Sequence, residues 1–258
     1  MFSTLARRLQ RQATKIMSHE EDAYGQEILA AYEGRPSYEV VERDDGFIDL
    51  SGGAAHYFQE YKSWPRWQKR SVKFARGKVL DVGSGAGRAS LYLQRRGHKV
   101  TAIDNSPLAI EVCKKRGVKD ARVLPIEEIG DFQKNSFDTI VMYGNNFGLF
   151  GSRRKAKFLL KRMYGITSPE ALIIVESVDP YDTDDPAHLN YQKRNRKRGR
   201  MAGQLRIRIR FRHYVGRWFD YLLVSRREMK EILEGTGWKI KKFIGSGAYM
   251  YIAIIAKN

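Results

Sequence analysis

One short stretch of the sequence limits the possible folds more than any other. Residues 78–82 have the apolar pattern of a buried strand, residues 83–87 alternate glycine with small side chains, and residues 87–96 have the pattern of a helix. Backbone without Cβ atoms lets a ligand approach closely, and a glycine-rich loop acts as a ligand cradle in this strand and helix context. The stretch therefore predicts an α/β fold that binds a nucleotide-like ligand.

The rest of the chain continues this alternation of strands and helices. Further strands are predicted over residues 99–103, 121–124, 137–142, 171–177, 238–244 and 249–256. Further helices are predicted over residues 26–32, 107–116, 155–164 and 225–233. Short apolar strands separated by helices predict an α/β fold with a doubly wound, mostly parallel sheet, and such sheets bind ligands at the carboxyl ends of their strands.

The sequence divides into a predicted N-terminal helical cap, residues 1–75, and a predicted ligand-binding domain, residues 76–258. Within the cap, residues 37–50 have the composition of an irregular connection. Residues 1–18 carry four basic side chains and no acid, with apolar residues at helical spacing. They predict a basic amphipathic helix that packs on the body or lies over the ligand site, and an organellar transit peptide is the alternative.

Positive charge is concentrated in one part of the chain. The formal net charge is +18, which favours an anionic partner. Residues 187–219, within a predicted insertion at 181–224, contain eleven lysines or arginines and no acid. A strand over residues 206–212 would place alternate residues on one face. The residues predicted to bind phosphate or carboxylate groups on that face are Arg206, Arg208, Arg210 and Arg212. A solvated face rich in ion pairs is the alternative.

Two aromatic side chains are also predicted to contact the partner. Tyr57 belongs to an aromatic-rich segment, residues 54–74, in which core packing is the default role. Trp218 begins the second strand of a predicted hairpin and would stack on a base if the partner were RNA. The predicted partner is therefore a small molecule with anionic groups, or RNA.

The chain contains one cysteine, Cys113, which a predicted helix would bury as a small apolar side chain. A single cysteine forms no disulfide within the chain and no cysteine-based metal site, so we expect a reducing, cytoplasmic location and no bound metal. No apolar run approaches the ~20 residues that span a bilayer, so we expect no membrane span.

The spacing of the glycine loop distinguishes between classes of cofactor. A dinucleotide fingerprint reads G-x-G-x-x-G, whereas this loop reads Asp81-x-Gly83-x-Gly85-x-Gly87. With its flanking strand and helix, the run resembles motif I of the class I, Rossmann-like S-adenosylmethionine-dependent methyltransferases. The resemblance extends from residue 78 to about residue 178, and it implies S-adenosyl-L-methionine as cofactor. An NAD-dependent enzyme is the alternative.

The resemblance also implies which residues hold the cofactor. Asp81 has the position of the acid that helps hold the methionine end, and Asp104 matches the acid that accepts both ribose hydroxyls. The usual acid near the adenine is replaced by Pro125, so Glu127 or the Ile126 backbone is expected to contact the base. The predicted cofactor-binding residues are Asp81, Gly83, Ser84, Gly85, Gly87, Asp104, Asn105, Ile126, Glu127 and Tyr143.

The acceptor is expected beside residues 143–148, at the end of the fourth strand. Their sequence is similar to the Gly-Asn-Ser-Phe of glycine and sarcosine N-methyltransferases, and less so to the Asn-Pro-Pro-Tyr of nucleic-acid amino methyltransferases. Asn145 or Asn146 is therefore the predicted catalytic residue, because a side-chain carbonyl can accept a hydrogen bond from an attacking amine. Ordinary loop chemistry is the alternative for these asparagines.

These features together predict an enzyme that transfers a methyl group to nitrogen or oxygen of a small or medium-sized, anionic acceptor. Positioning and desolvation can supply most of the rate, and Glu176 and His56 are among the candidate bases if the nucleophile must lose a proton. Two alternatives stay open. One is an RNA methyltransferase whose basic insertion binds the phosphate backbone, and the other is a non-catalytic cofactor-binding module.

Overall fold

A computed structural model describes residues 17–50, 53–245 and 249–258 of the chain. Residues 1–16 of the predicted basic helix, which spans residues 1–18, lie outside the described residues. The strands are β1 Val40–Arg43, β2 Ile48–Leu50, β3 Lys78–Val82, β4 Lys99–Asp104, β5 Ala121–Val123, β6 Phe137–Met142, β7 Thr167–Val178, β8 Gln204–Phe211, β9 Tyr214–Val215, β10 Phe219–Leu222, β11 Trp238–Gly245 and β12 Met250–Lys257.

The α-helices are α1 Ala23–Tyr32, α2 Arg66–Ser71, α3 Arg88–Arg95, α4 Pro107–Lys115, α5 Arg153–Ile166, α6 Pro186–Lys197 and α7 Arg226–Leu233. Short 3₁₀ helices lie at Ala54–Phe58, Tyr61–Ser63, Val72–Phe74, Ile126–Asp131 and Asn146–Phe150. A capping box begins α7, since the Ser225 side chain accepts from the Glu228 amide and the Glu228 side chain accepts from the Ser225 amide. Among the described residues, none of these helices is long and apolar enough to cross a membrane.

The larger sheet has seven strands in the order β11-β12-β7-β6-β3-β4-β5. The five strands from β7 to β5 run parallel, and β12 is antiparallel to both of its neighbours. This confirms the predicted doubly wound, mostly parallel sheet. Its strands are buried and apolar, as Leu80, Ile140 and Ile173 illustrate. Because β4, β3 and β6 are neighbours, the loops that follow their carboxyl ends lie side by side.

The smaller sheet joins two distant parts of the chain. Its order is β10-β8-β1-β2, with β9 paired to β8. The prediction of an irregular connection over residues 37–50 was wrong, because β1 and β2 form there and β1 pairs with β8 in the predicted insertion. Strands of three or four residues carry too little periodicity to be recognised without their partner. The predicted helical cap thus contributes two strands to a layer that it shares with the insertion.

Helix α1 is fastened to the large sheet by a buried acid. The Asp22 carboxylate caps α1 by accepting from the Gly25 amide at 2.9 Å. It also accepts from the Ser106 hydroxyl at 2.7 Å and the Leu108 amide at 3.1 Å, both at the start of α4. This contact fixes α1 across the loop that follows β3.

Candidate active site

The loop between β3 and α3 depends on its three glycines. Gly83, Gly85 and Gly87 all have positive φ angles, of 70°, 53° and 77°, which side chains with a Cβ adopt only at a cost. The amides of Gly83 and Ser84 donate to the Ile103 carbonyl at 2.9 and 3.1 Å, which fixes the loop to β4. The sequence motif therefore forms a tight glycine turn at the carboxyl end of β3.

Asp104, at the end of β4, lies directly beside this loop. Its carboxylate accepts from the Gly85 amide at 2.9 Å and the Ser106 amide at 3.0 Å. Burial raises the pKa of Asp104 to about 6, although both amides act in the opposite direction. The two amides thus hold the carboxylate in place. A further hydrogen-bond donor from a ligand would favour its charged form.

Asp81 is turned toward α3. Its carboxylate accepts from the Ser90 hydroxyl at 2.6 Å, and burial raises its pKa to about 6. Two buried carboxylates therefore flank the glycine loop. Burial is the main cause of both raised pKa values, the charge of Asp104 further raises the pKa of Asp81, and the charge of Asp22 further raises the pKa of Asp104. A cationic or hydroxyl-bearing ligand would offset the cost of their ionisation.

The two predicted asparagines have different environments. Asn146 donates from Nδ2 to the carbonyls of Val82 and Gly83, at 3.0 and 2.9 Å, and so supports the glycine loop. Asn145 has a positive φ of 62°, and its buried Oδ1 has no hydrogen-bond partner in the part of the chain that the structure describes. Only Asn145 therefore offers a buried, unused acceptor, and its catalytic role stays a prediction.

Glu176, on β7, holds the neighbouring loop in position. It accepts from Trp67 Nε1 at 2.8 Å, from Gln68 Nε2 at 2.9 Å and from the Gly144 amide at 2.7 Å. Three donors already occupy this buried carboxylate, so it holds the loop and is not free to accept a proton from a substrate. Tyr143 is likewise engaged, with its hydroxyl 2.9 Å from that of Ser71.

The glycine loop is covered by α1 and by the 3₁₀ helix at Ala54–Phe58. A Cβ built on Gly85 would lie 2.8 Å from the Tyr24 hydroxyl, 3.4 Å from the Tyr57 ring and 3.8 Å from Ile28. The rings of Tyr24 and Tyr57 meet edge to face at 5.5 Å. The predicted contact residue Tyr57 is thus beside the loop, and Tyr24 is a neighbour that the sequence did not indicate.

Glu27, one turn along α1 from Tyr24, is a further residue that the sequence analysis missed. It is 0% exposed, and neither carboxylate oxygen has a hydrogen-bond partner of good geometry among the described residues. Burial and the nearby Glu39 raise its pKa to about 8. An amphipathic pattern alone does not distinguish such a buried acid from a solvent-facing one.

The small sheet reaches the site through Tyr221 on β10. Its hydroxyl donates to the Asn145 carbonyl at 2.7 Å. A Cβ on Gly148 would collide with the Tyr221 ring, so the close approach requires glycine there. Tyr221 was not predicted, because its position depends on how β10 pairs with β8.

The alternating arginines lie on the outer face of the small sheet. Tyr221 is opposite Leu205 on β8, and opposed side chains of an antiparallel pair share a face. Since Tyr221 contacts the loop after β6, that shared face is the inner one. The arginines at positions 206, 208 and 210 occupy the other face. The predicted arginine clamp therefore does not face the glycine loop.

These arginines have protein partners. Arg208 and Arg210 pair with Glu42 at 2.8 and 3.0 Å, and Arg206 lies 3.4 Å from Asp220. The guanidinium of Arg208 also lies 4.5 Å from the centre of the Trp218 ring. The absence of acids from residues 187–219 favoured an external anion or the acidic loop at residues 182–185 as partner. Arg208 instead pairs with Glu42, 166 residues away in sequence, and Arg206 with Asp220, one residue beyond that range.

Two other predicted site residues, Arg212 and Glu127, lie in surroundings that the sequence did not indicate. β8 ends at Phe211, so Arg212 lies in the following turn with a φ of 54° and not on the predicted strand face. Glu127 pairs with Lys155 at 2.6 Å, at the start of the 3₁₀ helix Ile126–Asp131. Contacts from Ile126, Glu127 and the exposed Asn105 to an adenine stay predictions.

The residues at the end of β3, β4 and β6 fit S-adenosyl-L-methionine. The glycine loop leaves a cradle that a Cβ at position 85 would narrow. Asp104 provides a carboxylate for ribose hydroxyls, and Asp81 and Asn145 provide further oxygens near the loop. When bound, this cofactor supplies an electrophilic methyl group on a positively charged sulfur.

Known proteins resemble the chain in sequence. A family described as a methyltransferase domain matches residues 80–175. The ubiquinone biosynthesis O-methyltransferase of Xanthomonas euvesicatoria is 39% identical over 74 residues, which are 27% of this chain and 31% of that protein. The tRNA (uracil(54)-C(5))-methyltransferase of Pyrococcus horikoshii is 34% identical over 74 residues, 28% of this chain and 18% of that protein. The chain thus matches less than a third of the length of each of these two relatives.

One solved structure resembles almost the whole chain. It is an S-adenosylmethionine-dependent methyltransferase from Bacteroides fragilis in complex with S-adenosyl-L-homocysteine, with a TM-score of 0.79 and 28% identity, covering 94% of this chain and 97% of that one. The fold and the glycine loop define a Rossmann-like, cofactor-binding α/β protein. Together with the match to a methyltransferase domain, they support a class I S-adenosylmethionine-dependent methyltransferase.

Proposed function

We propose that the chain transfers a methyl group from S-adenosyl-L-methionine to nitrogen or oxygen of a small or medium-sized acceptor. The observation that carries this proposal is the position of the small sheet, which Tyr221 fastens to the Asn145 carbonyl at the end of β6. The inner face of that sheet, α1 and the glycine loop then surround the place where the acceptor would meet the methyl group. A covered site of this kind suits a small acceptor.

The protein's contribution is mainly to position the reactants and exclude water. Methyl transfer from a sulfonium is an in-line displacement in which charge is partly neutralised, so a dry and rigid site favours it. Asn146 and Glu176 hold the two loops in place, and the rings of Tyr24 and Tyr57 cover Gly85. The unused Oδ1 of Asn145 is available to orient an acceptor that donates a hydrogen bond.

The anionic character predicted for the acceptor has less support than the reaction itself. That prediction rested on the net charge of +18 and on the arginine face of β8, and those arginines point away from the glycine loop toward Glu42 and Asp220. We therefore propose the covered site without an arginine clamp.

A second candidate function is methylation of RNA, which the outer basic surface favours. Arg206 and Arg210 keep 46% and 42% of their side chains exposed despite their ion pairs. Helix α6 and the residue after it carry further exposed positive charges, at Lys193, Arg196, Lys197 and Arg198. Such a surface can follow a phosphate backbone, and its binding would weaken steeply with salt.

Transfer of tritium from labelled cofactor into fractionated pools tests these proposals together. We expect label in the small-molecule pool, and loss of labelling in Asp104→Asn. Label in the RNA pool, with a salt dependence that an Arg206→Gln/Arg210→Gln variant reduces, would favour the second candidate. Cofactor binding without label in any pool would indicate a non-catalytic module.

A further inference from the structure

Glu27 lies on the face of α1 that covers the glycine loop. Tyr24 and Ile28 both approach Gly85. Tyr24 is three residues before Glu27, and Ile28 is the residue that follows Glu27. Residues three or four apart on a helix share a face, so Glu27 is on the same side of α1 as Tyr24. No other acid of α1 is available there, since Ala23–Tyr32 contains only this one.

The surroundings of Glu27 are rich in hydrogen-bond acceptors. Glu39 is close enough to raise the pKa of Glu27 by its charge, and Tyr57 donates to Glu39 at 3.5 Å. The charges of Glu27 and Glu39 help to raise the pKa of Tyr57, and the charge of Glu39 helps to raise the pKa of Tyr221. Tyr221 in turn bonds to Asn145. Among the described residues, Glu27 has only the Ala54 backbone acting as a donor, outside good hydrogen-bond geometry, and Asn145 Oδ1 has none.

Arg88, an arginine close enough to Tyr57 to interact with its charge, is committed elsewhere. Arg88 donates to Gln68 Oε1 at 2.9 Å, and its guanidinium lies 4.6 Å from the centre of the Trp64 ring. A buried carboxylate without a well-aligned donor is costly, and the cost is offset when a ligand brings a positive charge with N–H groups. A carboxylate or phosphate ligand would instead add a further negative charge beside Glu27.

We propose that Glu27 binds the acceptor, and that the acceptor is a primary or secondary amine that enters as an ammonium ion. This inference rests on the proposed methyl transfer and names its substrate class. The ammonium donates to the Glu27 carboxylate and then gives it one proton. The freed nitrogen lone pair forms the new N–C bond as the S–C bond breaks, and that bonding pair stays on sulfur and neutralises its charge.

The pKa of about 8 supports this role. A peptide α-amino group has an ordinary pKa of about 7.7–8.0, so a carboxyl with that pKa holds a proton about as tightly as an amine of that basicity, and transfer between the two is close to balanced. At about pH 7 the free protein carries the proton on Glu27, and binding of an ammonium ion would release it.

The experiment uses the full chain with saturating S-adenosyl-L-homocysteine and matched probes. Cyclohexylamine, cyclohexanecarboxylate and cyclohexanol share one skeleton, as do phenethylamine, 3-phenylpropanoate and 2-phenylethanol. We expect calorimetry to show that the amines bind best, and that Glu27→Gln weakens amine binding about tenfold or more, as for a hydrogen bond to a charged group. Glu33→Gln, at the exposed end of α1, is the matched control and should change nothing.

Two further readouts separate recognition from a structural role. Calorimetry in buffers of different ionisation enthalpy should show proton release on amine binding by the wild type and none by Glu27→Gln. Glu27→Asp keeps the charge and should keep the preference for amines. Equal binding of all three probe types, no binding of either amine, or equal amine binding by wild type and Glu27→Gln would each overturn the proposal. Failure of the wild type to bind S-adenosyl-L-homocysteine would instead refute the proposed methyl transfer.

Discussion

The Tyr221 hydroxyl lies 2.7 Å from the backbone carbonyl of Asn145 and donates a hydrogen bond to it. This contact joins the small sheet to the loop that follows β6. Asn145 adopts a positive φ at this point, so the bond also stabilises an uncommon backbone conformation. The position of the small sheet and the position of the Asn145 side chain are therefore coupled.

Replacement of Tyr221 by phenylalanine should loosen this coupling. The change removes one buried hydrogen bond and leaves the Asn145 carbonyl without it, which costs about 1–3 kcal/mol of stability. We expect a several-fold higher KM for the acceptor and little change in affinity for S-adenosyl-L-homocysteine. Steady-state kinetics and calorimetry measure the two effects. Tyr38→Phe, at an exposed tyrosine, is the control, and equal kinetics in the two variants would contradict the coupling.

Replacement of Asp104 by asparagine should weaken cofactor binding. The amide is nearly the same size but carries no charge, and hydrogen bonds to a charged group contribute about 1.5–3 kcal/mol. We expect an affinity for S-adenosyl-L-homocysteine at least about tenfold lower. Asp81→Asn should have a smaller effect, because its carboxylate is already engaged by Ser90. Unchanged affinity in both variants, beside an Asp184→Asn control in an exposed loop, would refute the assignment of this site.

Cofactor affinity should also depend on pH. Burial raises the pKa of Asp81 and of Asp104 to about 6, and only the ionised carboxylates accept hydrogen bonds at full strength. Affinity for S-adenosyl-L-homocysteine should therefore rise as the pH increases from about 5 to about 7, a range in which its α-amino group stays charged. Calorimetry across this range measures the effect. The rise should be smaller in Asp104→Asn, and an affinity that is flat with pH would contradict it.

The sequence predicted the strands and the glycine loop of the large sheet well because these features are local. Residues 78–82 and 137–142 have strand patterns that the structure reproduces at the same bounds. The glycine loop lies within one strand, turn and helix unit. Asp104 follows the next strand, so strand order alone brings it to the loop.

The acceptor half could not be predicted because it depends on contacts between distant parts of the chain. β1 pairs with β8 across more than a hundred residues, and Glu42 on β1 is what partners Arg208. The alternation of arginines correctly indicated a strand, but a strand pattern does not say which face is turned inward. Tyr221 and Glu27 acquire their positions only once the small sheet and α1 are placed over the glycine loop.

Gly148→Ala should damage the acceptor side more than the cofactor side. The added Cβ would collide with the Tyr221 ring, so either β10 or the loop after β6 must move. We expect a lower melting temperature and a loss of methyl transfer, with cofactor affinity reduced much less. Gly165→Ala in α5, where a Cβ meets nothing, is the control and should be neutral or stabilising by up to about 1 kcal/mol. Normal turnover by Gly148→Ala would show that the two elements are not in contact.

Glu27→Gln should make the protein more stable at alkaline pH. The pKa of Glu27 is about 8 in the folded protein against an ordinary value of 4.5, so the folded state binds a proton that the unfolded state has lost between these values. The free energy of unfolding of the wild type therefore falls as the pH rises through this window. Glutamine does not titrate, so the variant should be the more stable one above about pH 8, by on the order of 5 kcal/mol. Urea unfolding at several pH values measures the difference, which should shrink steadily as the pH falls toward 4.5. Glu33→Gln should follow the wild type throughout, and a Glu27→Gln profile parallel to the wild type would mean that Glu27 does not carry a raised pKa in the free protein.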